Sequence, residues 1–216
     1  MVEKQVLPTL TYESRLWKAG YRHLAGMDEA GRGSWAGPVV AAAVILPADN
    51  PRLAELLDGV RDSKRLSAVG REVLLGVIEQ HALAWGAGVV PPSEIDARGI
   101  VPATCKAMSL ALAALSLPAD HLLIDYLSLP DQPLPQLSLT KGDARVLSIA
   151  AASIVAKVSR DRMMVDFDRQ FPGYGFAQHK GYGTPKHRAA LASLGPCAIH
   201  RMSFAPLREL APDGGG

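Results

Sequence analysis

Cysteine is scarce. Cys105 and Cys197 are the only two in 216 residues, and they stand far apart in no metal-type spacing. That excludes a disulfide framework and favours a reduced, cytoplasmic protein. The opening "MVEKQVLPTL" has no long apolar h-region, so no signal peptide is expected. The apolar stretch "AGPVVAAAVILPA" is too short to cross a bilayer, so no membrane partner is expected. There is no internal repeat, no Walker lysine pattern and no G-x-S-x-G nucleophile elbow. No bulk charge of one sign is present either: 23 basic and 21 acidic residues leave a formal charge of +2. The distribution is uneven. From Arg169 to Arg208 there is no acid, while Arg169, Lys180, Lys186, Arg188, Arg201, Arg208 and three histidines fall there. A one-sided basic segment suits a phosphate backbone, or it forms a solvated basic face.

What is present is 48% hydrophobic content, enough for one sizeable core or a core with a small appendage. His23 to Met27 reads as a strand running into two adjacent acids, Asp28 and Glu29. Val39 to Leu46 does not alternate, as expected of a strand buried on both faces. The link between them is short and glycine-rich, which predicts antiparallel neighbours. Leu83 to Val90, His121 to Ile124 and Gln136 to Thr140 read as further strands. The spacing predicts a helix over Ser67 to His81, with Ser67 as N-cap and Val69, Val73, Leu74, Val77 and Ile78 as its apolar face. Thr104 to Leu115 and Val146 to Phe167 read as core helices, the second with small residues that let it lie close to a sheet. The order of elements predicts an α/β fold, a mixed sheet with helices on both faces. The expected division is 1–170 for the main domain, 171–208 for a basic helical and loop subdomain, and 209–216 for a disordered tail.

The two adjacent acids carry the chemistry. Asp28 ends an apolar strand, where an unpaired carboxylate is costly. Consecutive strand residues face opposite ways, so both acids serve one site only if the strand ends or twists there. Asp125 closes a second apolar strand, and Asp143, in "LTKGDARV", precedes the long helix. Converging carboxylates raise each other's proton affinity unless a cation neutralises them. Oxygen-only ligands favour Mg²⁺ or Mn²⁺ over zinc. Two such ions about 3.5–4 Å apart can activate a water and stabilise the leaving oxygen of a phosphodiester. Helix caps and surface acids are the plainer alternative. A metal-free carboxylate pair could instead serve a glycosidase, which the basic segment and the glycine loop argue against.

Six ordered blocks then stand out: "GMDEAGRGSWAGPVVAAAV", "DSKRLS", "LLIDY", "KGDARVLSIAAASIVAKVSRDRMM", "YGFAQHKGYGTPKH" and "HRMSF". Together they resemble the motifs of bacterial ribonuclease HII, the type-2 ribonuclease H family, over roughly Ala25 to Pro206. The resemblance implies a ribonuclease H-like mixed five-stranded sheet flanked by helices, with a small C-terminal helical extension. It implies cutting of RNA paired with DNA, including single ribonucleotides in duplex DNA, with the cut expected on the 5′ side; with no sign of oligomerisation in the sequence, a monomer is expected. It implies Asp28, Glu29, Asp125 and Asp143 as catalytic metal ligands for Mn²⁺ or Mg²⁺. Gly31, Arg32 and Gly33 match a loop that reads the ribose 2′-hydroxyl, the group that separates RNA from DNA. Tyr182 matches a tyrosine that stacks at the RNA–DNA junction. Lys64 and Lys141 are candidate nucleic-acid contacts. Lys157, Arg160 and Arg162 are expected to be structural, and His179, His187, His200 and Arg201 to contact a backbone or pack loops. Two departures stand out: Tyr126 follows Asp125 where the family more often has glycine, and Gly99 stands where asparagine is usual. The competing readings are a non-catalytic nucleic-acid binder on the same fold, and a nuclease that cuts hybrids but not isolated ribonucleotides.

Overall fold

The computed structural model describes residues 7–210; the expected tail therefore falls largely outside the described residues. Five strands form one mixed sheet: β1 (Leu24–Ala30), β2 (Val39–Ile45), β3 (Ala84–Val90), β4 (His121–Asp125) and β5 (Gln136–Leu139). Their order is β3-β2-β1-β4-β5. β1 and β2 pair antiparallel, as the short link requires, and β2 pairs antiparallel with β3. β4 joins β1 in parallel and β5 joins β4 in parallel.

The helices are α1 (Thr11–Lys18), α2 (Leu53–Leu56), α3 (Ala68–His81), α4 (Pro92–Arg98), α5 (Ile100–Ala113), α6 (Leu147–Gln170), α7 (Phe176–His179) and α8 (Pro185–Leu194). β2 explains the layering. Its Ala42 and Val44 pack with α3 and α6, while Ala41, Ala43 and Ile45 pack with α5 on the other face. Both faces of this strand are covered, so its sequence is apolar throughout.

Long α6 lies against β1 because both surfaces are small. A β-carbon at Gly26 would come within 2.3 Å of the Ser148 backbone. The N-terminus of α6 is held from α1, where buried Glu13 accepts the Ser148 N–H at 2.8 Å through Oε1. The sequence reading did not find α1, α2 or α4.

Three helical expectations change. Ser67 does cap α3, accepting from Gly70 N at 3.0 Å. However, Val69 and Val73 are exposed, and Leu75 and Ile78 make the buried face. Five apolar residues around the turn gave more than one possible stripe, and packing chose among them. α5 begins at Ile100 rather than Thr104; Pro102 is tolerated there because N–H groups of the first turn have no helical acceptor. Finally, α6 runs to Gln170 rather than Phe167, so Lys157, Arg160 and Arg162 lie well inside it and its last turn holds Arg169.

Candidate active site

The acids gather at the carboxyl ends of the two central parallel strands, the edge where open α/β sheets place ligands. Met27 is the register partner of Ile124. One step further along, Asp28 and Asp125 therefore stand side by side, on the face covered by α6. Glu29, one residue on, leaves from the opposite face of the pleat. The strand does not stop at the acids as the sequence suggested; it continues to Ala30, and only its pairing with β4 ends. Glu29 is turned to the site by Arg32, whose Nη1 donates to Glu29 Oε1 at 3.1 Å. Asp143 enters from the single turn Gly142–Ala144 that leads into α6. That turn is tied to β4, because Gly142 N donates to Asp125 Oδ1 at 2.6 Å.

The electrostatics are those of a carboxylate cluster short of cations. Burial, then the charges of Glu29 and Asp125, hold the Asp28 carboxyl well above its usual range. Burial also raises Glu29, Asp125 and Asp143, with Arg32 opposing it at Glu29 and the Asp125 charge adding to it at Asp143. Lys64 reaches across, with Nζ 3.8 Å from Asp143 Oδ2, and the charge of Arg32 also acts on Asp125. Glu29 Oε2 is buried with no hydrogen-bond partner. Among the described residues, no three His, Cys, Asp or Glu side chains close into a ready-made metal cage. An open, oxygen-only half-site of this kind suits hard ions that keep several waters and take further ligands from a substrate phosphate.

The remaining candidates divide. The Gly31–Gly33 loop follows β1 directly, beside Glu29. Gly31 has φ +91°, and a β-carbon there would meet Arg160 Nε at 2.0 Å. A β-carbon on Gly33 would meet nothing within 4 Å, so its free face points into open space. Tyr182 is half-exposed and lines, together with Lys64, Arg71, Lys157 and Lys180, a groove of about 800 Å³. This groove joins Tyr182 to the edge of the acid cluster through Lys64. Lys141 is exposed, with φ 55°, one residue before the Gly142 turn. Gly99 joins α4 to α5. Tyr126 keeps the loop after β4 by adopting φ 60°, its N–H donating to Leu139 O at 3.1 Å.

The basic C-terminal segment is only partly a surface. Arg201 and the three histidines are buried. His187 Nδ1 lies 3.0 Å from Tyr182 O, and His187 Nε2 lies 3.0 Å from His200 Nε2. Cys197 N donates to His200 Nδ1 at 2.8 Å. These partners fix one proton per ring: His187 donates to Tyr182 O, and His200 donates to His187. The histidines are thus loop-packing groups, as expected.

The sequence matches the ribonuclease HII family over residues 25–207. The chain belongs to the ribonuclease HII family. A ribonuclease HII of Chloroflexus aurantiacus is 56% identical over 204 residues, covering 94% of this chain and 96% of that one. The ribonuclease H2 of Pyrococcus horikoshii superposes with a TM-score of 0.72 at 25% identity, covering 87% of this chain and 96% of that one. Bst ribonuclease HIII, in a structure with Mn²⁺, shares the fold with a TM-score of 0.62 at 21% identity, over 88% of this chain and 69% of that one. This ribonuclease HII-family chain is a metal-dependent endoribonuclease with the ribonuclease H-type mixed sheet. Among the described residues, no helix is long and apolar enough to cross a membrane.

Sequence reading missed Ser34 and Glu13 as organisers of this region, and expected structural roles for Arg160 and Arg201 without placing either in the interior. Burial of two arginines has no signal in a single sequence. The glycines around Tyr182 did offer one: each marks a close backbone approach.

Proposed function

We propose that the protein cuts the RNA strand of RNA–DNA hybrids and incises duplex DNA on the 5′ side of a single embedded ribonucleotide, leaving 3′-hydroxyl and 5′-phosphate ends. The observation that carries this reading is the packing of Asp28, Glu29, Asp125 and Asp143 around one strand edge, with an unpartnered buried Glu29 oxygen and a glycine loop alongside. Two Mg²⁺ or Mn²⁺ ions held by those four acids would supply an activated water and neutralise the leaving oxygen. Asp28 and Asp125, neighbours on parallel strands, form the floor of this site. Arg32 holds Glu29 by a hydrogen bond and opposes part of the effect of burial on it. Lys64 offsets part of the acids' charge and lies where a phosphate of the same strand can reach it. Gly33 leaves room for a sugar, so that loop backbone groups can hydrogen-bond to a 2′-hydroxyl. Tyr182 offers a flat face to the next sugar or base; stacking of this type is worth about 1–3 kcal/mol. Lys141 borders the same edge and can contact the backbone.

The test is a DNA duplex with one ribonucleotide, incubated beside a uniform hybrid with Mg²⁺, with Mn²⁺ and with chelator, and the cuts mapped. Incision immediately 5′ of the ribonucleotide, lost on chelation and regained with either metal, is expected. Cleavage that survives chelation, or that falls on the 3′ side, rules the reading out.

A further inference from the structure

Arg160 is buried in the middle of α6, and its acceptors are neutral. Nε donates to Pro38 O at 2.9 Å, Nη1 to Lys180 O at 2.9 Å, and Nη2 to Ser34 Oγ at 2.7 Å and Ala36 O at 3.0 Å. A cation buried on neutral oxygens is costly, so cohesion alone is a poor reason for it: an apolar side chain of the same volume is often as stabilising. Its fork shape is what the site uses, because one planar group reaches two separate loops.

On one side is the loop after β1. Ser34 Oγ passes the contact on, donating to Gly31 O at 2.9 Å. The guanidinium also forms the wall behind Gly31. Arg201 completes this side, with Nη1 donating to Arg32 O at 2.9 Å and Nε to Gly37 O at 3.0 Å. On the other side is the Tyr182 loop. Arg160 holds the carbonyl of Lys180, and its Cζ lies 5.6 Å from the centre of the Tyr182 ring. The two loops also touch directly: Trp35 N donates to Gly181 O at 2.8 Å. β-Carbons at Gly181 and Gly183 would run into Ala36 O and the Trp35 ring, each at 2.3 Å.

We infer that Arg160 is a positioning residue that sets the distance between the Gly31–Gly33 loop and Tyr182, and so makes the enzyme selective for a ribonucleotide followed by a deoxynucleotide. The inference rests on the roles proposed above for that loop and for Tyr182. A duplex with one ribonucleotide offers the 2′-hydroxyl and the following deoxyribose in one register only. A uniform hybrid has a 2′-hydroxyl at every step and tolerates a loosened spacing. Misplacement of about 1 Å costs a reaction on the order of 10²-fold, and here that loss falls on the single-ribonucleotide substrate.

The experiment compares kcat/KM on both substrates, with Mn²⁺, for wild type, Arg160→Lys and Ser34→Ala. Lysine keeps the charge but cannot bridge both loops. Arg160→Lys is expected to lose about 10- to 100-fold on the single-ribonucleotide duplex and less than about threefold on the hybrid. Ser34→Ala should shift the ratio in the same direction by a smaller factor. Tyr182→Ala should lose most of its effect in the Arg160→Lys background. Equal slowing on both substrates, or effects of Arg160→Lys and Tyr182→Ala that multiply, overturns the inference and leaves a purely structural arginine. If Arg160→Lys fails to fold by circular dichroism, Ser34→Ala decides alone, and an unchanged ratio overturns the inference. Wild type that cuts the hybrid but not the single-ribonucleotide duplex refutes the proposed function itself, and the clamp with it.

Discussion

Asp28 is where stability and chemistry conflict most. Its carboxylate is buried beside two others, so it opposes folding until a cation arrives. Asp28→Asn is expected to abolish cleavage while raising the melting temperature of metal-free protein by about 2–4 °C, roughly 1 kcal/mol. Differential scanning fluorimetry with and without Mn²⁺ checks this: the metal-induced gain seen in wild type should shrink in the variant. A drop in metal-free stability would argue against the charge account. Tyr126 is a second local cost. A left-handed tyrosine is strained by about 1–2 kcal/mol, and a glycine there gives back about 0.5–1 kcal/mol through unfolded-chain entropy. The ring is 64% exposed, so little packing is lost. Tyr126→Gly should stabilise by about 0.5 kcal/mol, read as a higher urea midpoint with unchanged slope.

At the scale of elements, the site depends on how closely α6 approaches β1, since α6 and the turn before it carry Asp143 while β1 carries Asp28 and Glu29. Gly26 sets that approach. Gly26→Ala should push α6 off the sheet, costing about 1–3 kcal/mol and lowering cleavage of both substrates alike. Chemical denaturation and a hybrid-cleavage assay together check this. Glu13 acts at the same junction from α1. Replacing it with leucine leaves the Ser148 N–H without its buried acceptor, an expected cost of about 1–3 kcal/mol, whereas Glu13→Gln keeps the acceptor and should cost less. Neither residue has a motif of its own. Gly26 reads as a weak spot in a strand, and Glu13 as one more surface acid.

The whole molecule closes through its C-terminal segment, which returns to the sheet edge and seats Tyr182 on a buried histidine group. Burial, with the charge of its neighbour His187, lowers His200 to about 4, and burial lowers His187. Their unfolded values lie near 6.5. Below that pH the unfolded chain takes up protons that the folded chain refuses, so these two groups withdraw stability as pH falls from about 6.5 towards 4. The raised carboxyls at the active site act in the opposite sense, so the effect is isolated by comparison with His200→Gln. The stability advantage of wild type over that variant should shrink by on the order of 2 kcal/mol between pH 7.5 and pH 4.5, measured by urea unfolding. A constant difference would mean that His200 binds its proton equally well folded and unfolded.

Much of this was legible in one dimension because it depends on local rules. β2 reads as doubly buried because its residues are apolar without alternation; the short glycine link dictates antiparallel pairing with β1; Ser67 caps α3. Asp28 and Asp125 show themselves because a carboxylate at the end of an apolar strand is costly wherever it lies. What the chain could not reveal alone depends on residues meeting from far apart. Packing, not periodicity, chose the buried stripe of α3 and exposed Val69 and Val73. Arg160 and Arg201 carry no mark of burial in the sequence, and only the closure of the loops over them made them internal. Sequence determined which groups are candidates for the chemistry, since that follows from residue type and local pattern. Tertiary structure alone decided the spacing between the Gly31–Gly33 loop and Tyr182, because a distance between segments some 150 residues apart is a property of the packing around them.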